Sequence, residues 1–205
     1  MAAARERGRE VLVGDLRRLY ERARTEEQKG KRESTNREVV ISGQRYYAHS
    51  CILSARSNFF EKALTQQMIE GVERVMELRH TATEVPRAAG EALLLFLYAG
   101  STEGVSSSEA AWGVCDLLGA ESGDFLELSG CEVLREECTD RIMGEVRREE
   151  LAAALLRAQA LGHATKQLRG LLLENLVWDP ARVRPPRRRR RRERPRTSSQ
   201  SCWRW

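Results

Sequence analysis

Nowhere do the 205 residues hold an apolar run near the ~20 residues needed to cross a bilayer, so a membrane-spanning helix is not expected. Aromatic residues are only 6% of the chain, which leaves the core to aliphatic side chains, chiefly Leu and Ala. There are three histidines, His49, His80 and His163, scattered singly. The five cysteines (Cys51, Cys115, Cys131, Cys138, Cys202) form no C-x-x-C pair, which excludes the usual zinc spacing and a disulfide framework. A Gly-rich phosphate loop and a nucleophile elbow are also missing. Catalysis, a metal and a cofactor are therefore not expected. The amino terminus, Met1-Ala-Ala-Ala-Arg-Glu-Arg, has no apolar segment of a secretory leader. Widely spaced free thiols fit a reducing compartment, nucleus or cytoplasm.

Positive charge is plentiful, but it is unevenly placed. Residues 182–205 hold eleven of the 35 basic groups and one of the 30 acidic groups, a balance of +10. The preceding 181 residues keep 24 basic and 29 acidic groups, a balance of −5. The body is mildly acidic, and the net +5 belongs to one terminal tail.

Periodicity divides the rest. Residues 11–24 place Val11, Leu12, Leu16, Leu19, Tyr20 and Ala23 at helical spacings of three and four. Residues 25–36 contain no apolar group and read as a solvated linker. Val39 to Ile41 reads as a buried strand, joined by Ser42-Gly43-Gln44 to a second strand at Arg45 to Ala48. The period turns helical from Ser50, with Ser57 as the N-cap between two short helices. A third strand is predicted at 72–78. Pro86 opens a helix that ends at Gly100, with further helices over 109–118, 126–138, 149–161 and 166–178. Beyond Asp179-Pro180 the composition is Arg, Pro and Ser without periodicity, which predicts a disordered tail. Strands gathered early with helices against them indicate an α+β fold: a small three-stranded sheet flanked by helices, plus a carboxy-terminal helical pair.

Several of these residues fall into one pattern. Tyr46, Ala48 and His49 form aromatic-x-Ala-His, and Leu53, Ala55 and Ser57 form Leu-x-Ala-x-Ser. Phe96-Leu97-Tyr98-Ala99-Gly100 ends a core helix, and Cys131-Glu132 with Leu134 opens a later one. In this order and spacing the chain resembles the BTB (POZ) domain, a protein-interaction fold. The resemblance divides it into an amino-terminal dimerisation helix and linker (1–35), a BTB domain (36–138), a helical extension (139–181) and the Arg-rich tail (182–205).

The resemblance implies a homodimer with Leu12, Leu16, Leu19, Tyr20, Ile52 and Leu53 at the two-fold interface. Met68-Ile69-Glu70 also fits the hydrophobic-x-Glu motif of BTB adaptors that bind the cullin scaffold of a RING ubiquitin ligase, with Tyr98 and the 101–107 loop near the same surface. A flexible Met is suited to an apolar cleft on such a partner. Asn36 and Ser50 replace the charged pair of the BTB zinc-finger transcription factors, which argues against their corepressor groove. Gly90 replaces a usual aromatic residue, which predicts a loosely packed 86–98 helix. The client protein is unspecified, because no kelch, MATH or ankyrin region is present.

For Arg187, Arg188, Arg189, Arg190, Arg191 and Arg192 three readings stay open: a nuclear localisation signal, a salt-sensitive nucleic-acid contact, or a solvated end. His49 reads as a hydrogen-bonded helix-start residue rather than a base.

Overall fold

The computed structural model describes residues 2–65, 74–78, 84–119 and 126–177. Helix α1 spans Ala2–Gln28. It is longer than the predicted 11–24 at both ends: nine residues precede the predicted start, and residues 25–28, expected in a linker, continue it. Polarity alone does not end a helix; a terminator does, and here that is Gly30. Gly30 adopts φ +62°, and the Lys31 amide donates to the Glu26 carbonyl at 3.0 Å while the Gly30 amide donates to that of Glu27 at 3.0 Å. This pattern closes the last carbonyls and turns the chain.

Strands β1 (Arg37–Ile41) and β2 (Gln44–Ala48) pair antiparallel across a two-residue turn. Ser42 and Gly43 both have positive φ, 48° and 75°, the geometry that matches strand twist. Helices α2 (Ser50–Arg56) and α3 (Asn58–Thr65) follow. Ser57 caps α3 as expected: its Oγ accepts from the Phe60 amide at 3.2 Å and donates to the Leu126 carbonyl. Strand β3 (Val75–Leu78) returns parallel to β1, giving the order β2-β1-β3. Val39, Ile41, Tyr46, Ala48, Met76 and Leu78 all turn to the same buried face, as period-two alternation requires.

Helix α4 (Arg87–Ala99) is apolar around nearly its whole circumference and runs through the core. Pro86 stands one residue before it rather than inside its first turn. Helix α5 (Ser108–Leu118) is capped by Ser107 Oγ, which accepts from the Ala110 amide at 3.2 Å. Helix α6 (Cys131–Glu145) begins five residues later than the predicted 126. Leu128 bridges back to Ser57, and Gly130 at φ +73° holds the chain outside helical geometry. Helices α7 (Leu151–Ala160) and α8 (Lys166–Val177) form the expected pair, joined by a 3-10 turn at Gly162–Thr165. Their Leu151, Ala154, Leu155, Leu168 and Leu172 join one hydrophobic core with α4, α5 and the sheet. Arg157 of α7 lies over the Trp112 ring of α5 at 4.8 Å, which adds a cation–π contact to that seam.

The helix containing Gly90 is not loose. A β-carbon there would lie 2.5 Å from Cζ of Tyr46. The aromatic ring that the resemblance led us to expect on the helix is supplied instead by Tyr46 of β2. The Tyr46 hydroxyl lies 3.0 Å from Gln44 Oε1 and 3.2 Å from the Arg87 carbonyl.

Candidate interaction surface

At ~1.5 Å per residue, the 27 residues of α1 measure roughly 40 Å, and every residue from 5 to 13 is exposed, so that stretch projects past the body. The carboxy-terminal half is docked. Tyr20 and Ala23 are buried at 8% and 1% exposure, and Leu19 packs beside them. The Tyr20 ring lies 5.7 Å from that of Tyr98 on α4, and its hydroxyl donates to the Glu91 carbonyl at 3.1 Å. Burial, with Glu91 nearby, pushes the Tyr20 hydroxyl up to about 12. A polar clasp surrounds this contact: Arg24 pairs with Glu91 at 2.7 Å, and Arg87 pairs with Glu91 at 3.1 Å and with Glu27.

The amino-terminal half is different. Val11 and Leu12 are 63% and 58% exposed, with Val13 beside them and Leu16 half-buried. The predicted apolar stripe is thus divided between a part spent in the chain's own core and a part facing outward. Of the expected interface residues, Tyr20 and Leu53 are corrected: both are core residues of this chain, Leu53 with no exposed surface. Ile52 is partly buried against the same core. Leu12, and in part Leu16, keep apolar surface available.

Glu26 anchors the end of α1. Its carboxylate is buried and accepts five hydrogen bonds. Oε1 takes the Ser34 hydroxyl at 2.6 Å and the Ser34 amide at 2.9 Å; Oε2 takes the Glu33 amide at 3.1 Å, the Thr35 amide at 3.2 Å and the Thr35 hydroxyl at 3.0 Å. Burial alone would raise its pKa, but these donors overcome it and hold the carboxyl at about 2. Sequence reading missed this residue, because its partners lie seven to nine positions away with no helical or strand spacing to mark them.

At the start of α2, Asn36 Oδ1 accepts from the Ser50 amide at 2.8 Å, and Asn36 Nδ2 donates to Ser50 Oγ at 2.8 Å. The two uncharged positions noted in the sequence therefore face each other as a helix cap. Next to them, the Tyr98 hydroxyl accepts from the His49 amide at 2.9 Å and lies 2.6 Å from His49 Nδ1. Burial lowers the His49 pKa, Glu26 opposes that and Arg22 adds to it. His49 is thus the hydrogen-bonded helix-start residue that the sequence suggested. Tyr98 is corrected: at 2% exposure, with its hydroxyl engaged by His49, it offers no surface to a partner.

Met68, Ile69 and Glu70 lie outside the described residues, as do Arg187 to Arg192. The motif follows Thr65, the last residue of α3, by three positions. Among the described residues no group of three or more His, Cys, Asp or Glu is placed to hold a metal ion, and no helix is long and apolar enough to cross a membrane.

A family model for the BTB/POZ domain matches residues 26–111. The chain is 27% identical over 161 residues to TD and POZ domain-containing protein 2 of Mus musculus, covering 78% of this chain and 38% of that protein. It is 26% identical over 143 residues to TD and POZ domain-containing protein 4 of the same organism, covering 70% of this chain and 35% of that protein. The chain therefore spans little more than a third of the length of these relatives. The three-stranded sheet with its flanking helices, the matched residues and the POZ-containing relatives agree: residues 26–111 match a BTB/POZ domain, a module for binding other proteins.

Proposed function

We propose that the chain is a non-catalytic adaptor that pairs with a second copy through α1 and brings a client protein to a cullin-RING ubiquitin ligase. The observation that carries the pairing is the exposed Val11 and Leu12 on the overhanging half of α1. Apolar groups on an otherwise charged helix gain about 25 cal/mol for each Å² they remove from water, and a second α1 offers the same stripe. The cullin contact rests on Met68-Ile69-Glu70 following α3, where the thioether would enter an apolar cleft and the carboxylate would orient it. Such an adaptor would work in the cytoplasm, the nucleus or both.

The experiment is the mass of the full chain by light scattering, alone and with a cullin amino-terminal domain. A dimer that gains one cullin domain per chain is the expected result. A Met68→Ala/Glu70→Lys variant should keep the dimer and lose the cullin domain. Undiminished cullin binding by that variant would remove the motif from the reading, and a monomer at all concentrations would remove the pairing.

A second reading is favoured by the eleven Arg after residue 181. In it the paired domains bring two basic tails to nucleic acid in the nucleus. Binding would then fall steeply with salt and vanish on deletion of 182–205.

A further inference from the structure

The segment that Glu26 holds is Lys29-Gly-Lys-Arg-Glu-Ser-Thr35, three basic residues leading to a serine. Ser34 is exposed and lies in no helix or strand, while Thr35 beside it is buried. Lys31 and Arg32 stand three and two positions before the hydroxyl, the placement read by serine kinases whose substrate groove is acidic. We propose that Ser34 is a phosphorylation site for a kinase of this basophilic class, and that its phosphate unlatches the carboxy-terminal end of α1. In the transfer, Ser34 Oγ attacks the γ-phosphorus of ATP. The new O–P bond forms as the bond to the β,γ-bridging oxygen breaks. ADP leaves with that electron pair, and the hydroxyl proton passes to the kinase's general base.

The consequence follows from the geometry of the latch. The Ser34 hydroxyl now donates to Glu26 Oε1 at 2.6 Å, and a phosphoserine has lost that proton. In its place come about −1.5 to −2 charges against a buried carboxylate that is itself ionised. The same oxygen also accepts the Ser34 amide at 2.9 Å, so the repulsion falls on the backbone bonds of the latch as well as the side-chain one. Exposed Lys29 and Lys31 on the same loop offer the displaced phosphate a favourable position away from Glu26. Arg32 is held by Glu38 on β1. This site does not depend on whether the chain pairs with itself.

The test incubates the full chain with a basophilic serine kinase and ATP, maps phosphate by peptide mass spectrometry, and follows amide exchange. Thr197 to Ser199, preceded by Arg194 and Arg196, serve as an internal control for kinase activity. A synthetic peptide of residues 27–38 serves as a second control. Phosphate on Ser34, lost in Ser34→Ala, is the expected result, with exchange at the 33–35 amides faster by about tenfold. Ser34→Ala without phosphate removes only the side-chain bond, so its 33–35 amides should stay protected. Phosphate on the control sites with none on Ser34 of the folded chain would overturn the assignment. So would failure of the kinase to modify the peptide. Phosphorylated chain with unchanged exchange at 33–35 would overturn the unlatching.

Discussion

The Tyr46 ring occupies the space that a side chain at Gly90 would need: a β-carbon there would come within 2.5 Å of Cζ, closer than a real methyl group approaches. Gly90→Ala gains about 1 kcal/mol of helix propensity. The overpacking it forces costs about 1–3 kcal/mol, so a net loss is expected in denaturant unfolding. Combining it with Tyr46→Leu should give less than the sum of the two single losses, since the second change removes the obstacle. Strict additivity would show that the two positions do not compete for that space.

His49 and Tyr98 give the fold a pH dependence. The His49 pKa is depressed below its ordinary 6.5 by burial, so the unfolded chain binds the proton more readily. Its contribution to stability is complete above 6.5 and is lost as pH falls through the lower, folded value. Tyr98→Phe leaves the His49 amide without its acceptor and should cost about 1–3 kcal/mol. His49→Gln should flatten the stability slope just below pH 6.5, as read from urea midpoints across pH 5 to pH 8 at roughly half-unit steps.

Glu26 acts at more acid values. Its carboxyl is held at about 2 against an ordinary 4.5, so the stability it gives is present above 4.5 and is lost as pH falls toward 2. Glu26→Gln cannot accept on both carboxyl oxygens and should leave buried donors unpaired at a cost of about 1–3 kcal/mol at neutral pH. The acid limb of the stability curve should become shallower in the same variant. A curve parallel to the parent's below pH 4.5 would assign the acid response to other carboxyls.

Tyr20 and Leu12 stand on the same helix and predict opposite phenotypes. Tyr20→Ala removes a buried ring packed on Tyr98 and should cost about 3–5 kcal/mol of stability. Leu12→Glu changes an exposed position and should shift stability by no more than about 0.5 kcal/mol. Under the proposed pairing, Leu12→Glu lowers the mass in solution without lowering the unfolding midpoint of the dilute chain.

Much of the architecture was legible because it is written locally. The strand at Val39 to Ile41, its partner at Arg45 to Ala48, the turn between them and the cap at Ser57 each depend on neighbours within a few positions. The parallel return of β3 beside β1 joins residues some 37 positions apart and left no local trace. The same holds for the site. The α1 stripe was visible by period, but period cannot say that Tyr20 ends against Tyr98 while Leu12 ends in solvent. That division depends on which stretch of the helix lies against the body, and the length was underestimated at both ends, because residues 2–10 and 25–28 carry no large apolar side chain to extend the stripe. Glu26 and Gly90 were illegible or misread for a related reason: each is explained by a partner from another element.

The match to the family ends at residue 111, in the middle of α5, whereas Trp112 immediately after it is covered by Arg157 of α7. The border of the family model and the border of cooperative stability thus differ, and the 161 residues aligned with TD and POZ domain-containing protein 2 also extend beyond the stretch the model matches. Anyone exchanging this module with that of a mouse relative should place the seam beyond Val177, since a graft ending at 111 would sever a helix and strip Val114, Leu117 and Leu118 of their cover. The helical pair is, in that practical sense, a wall of the same house.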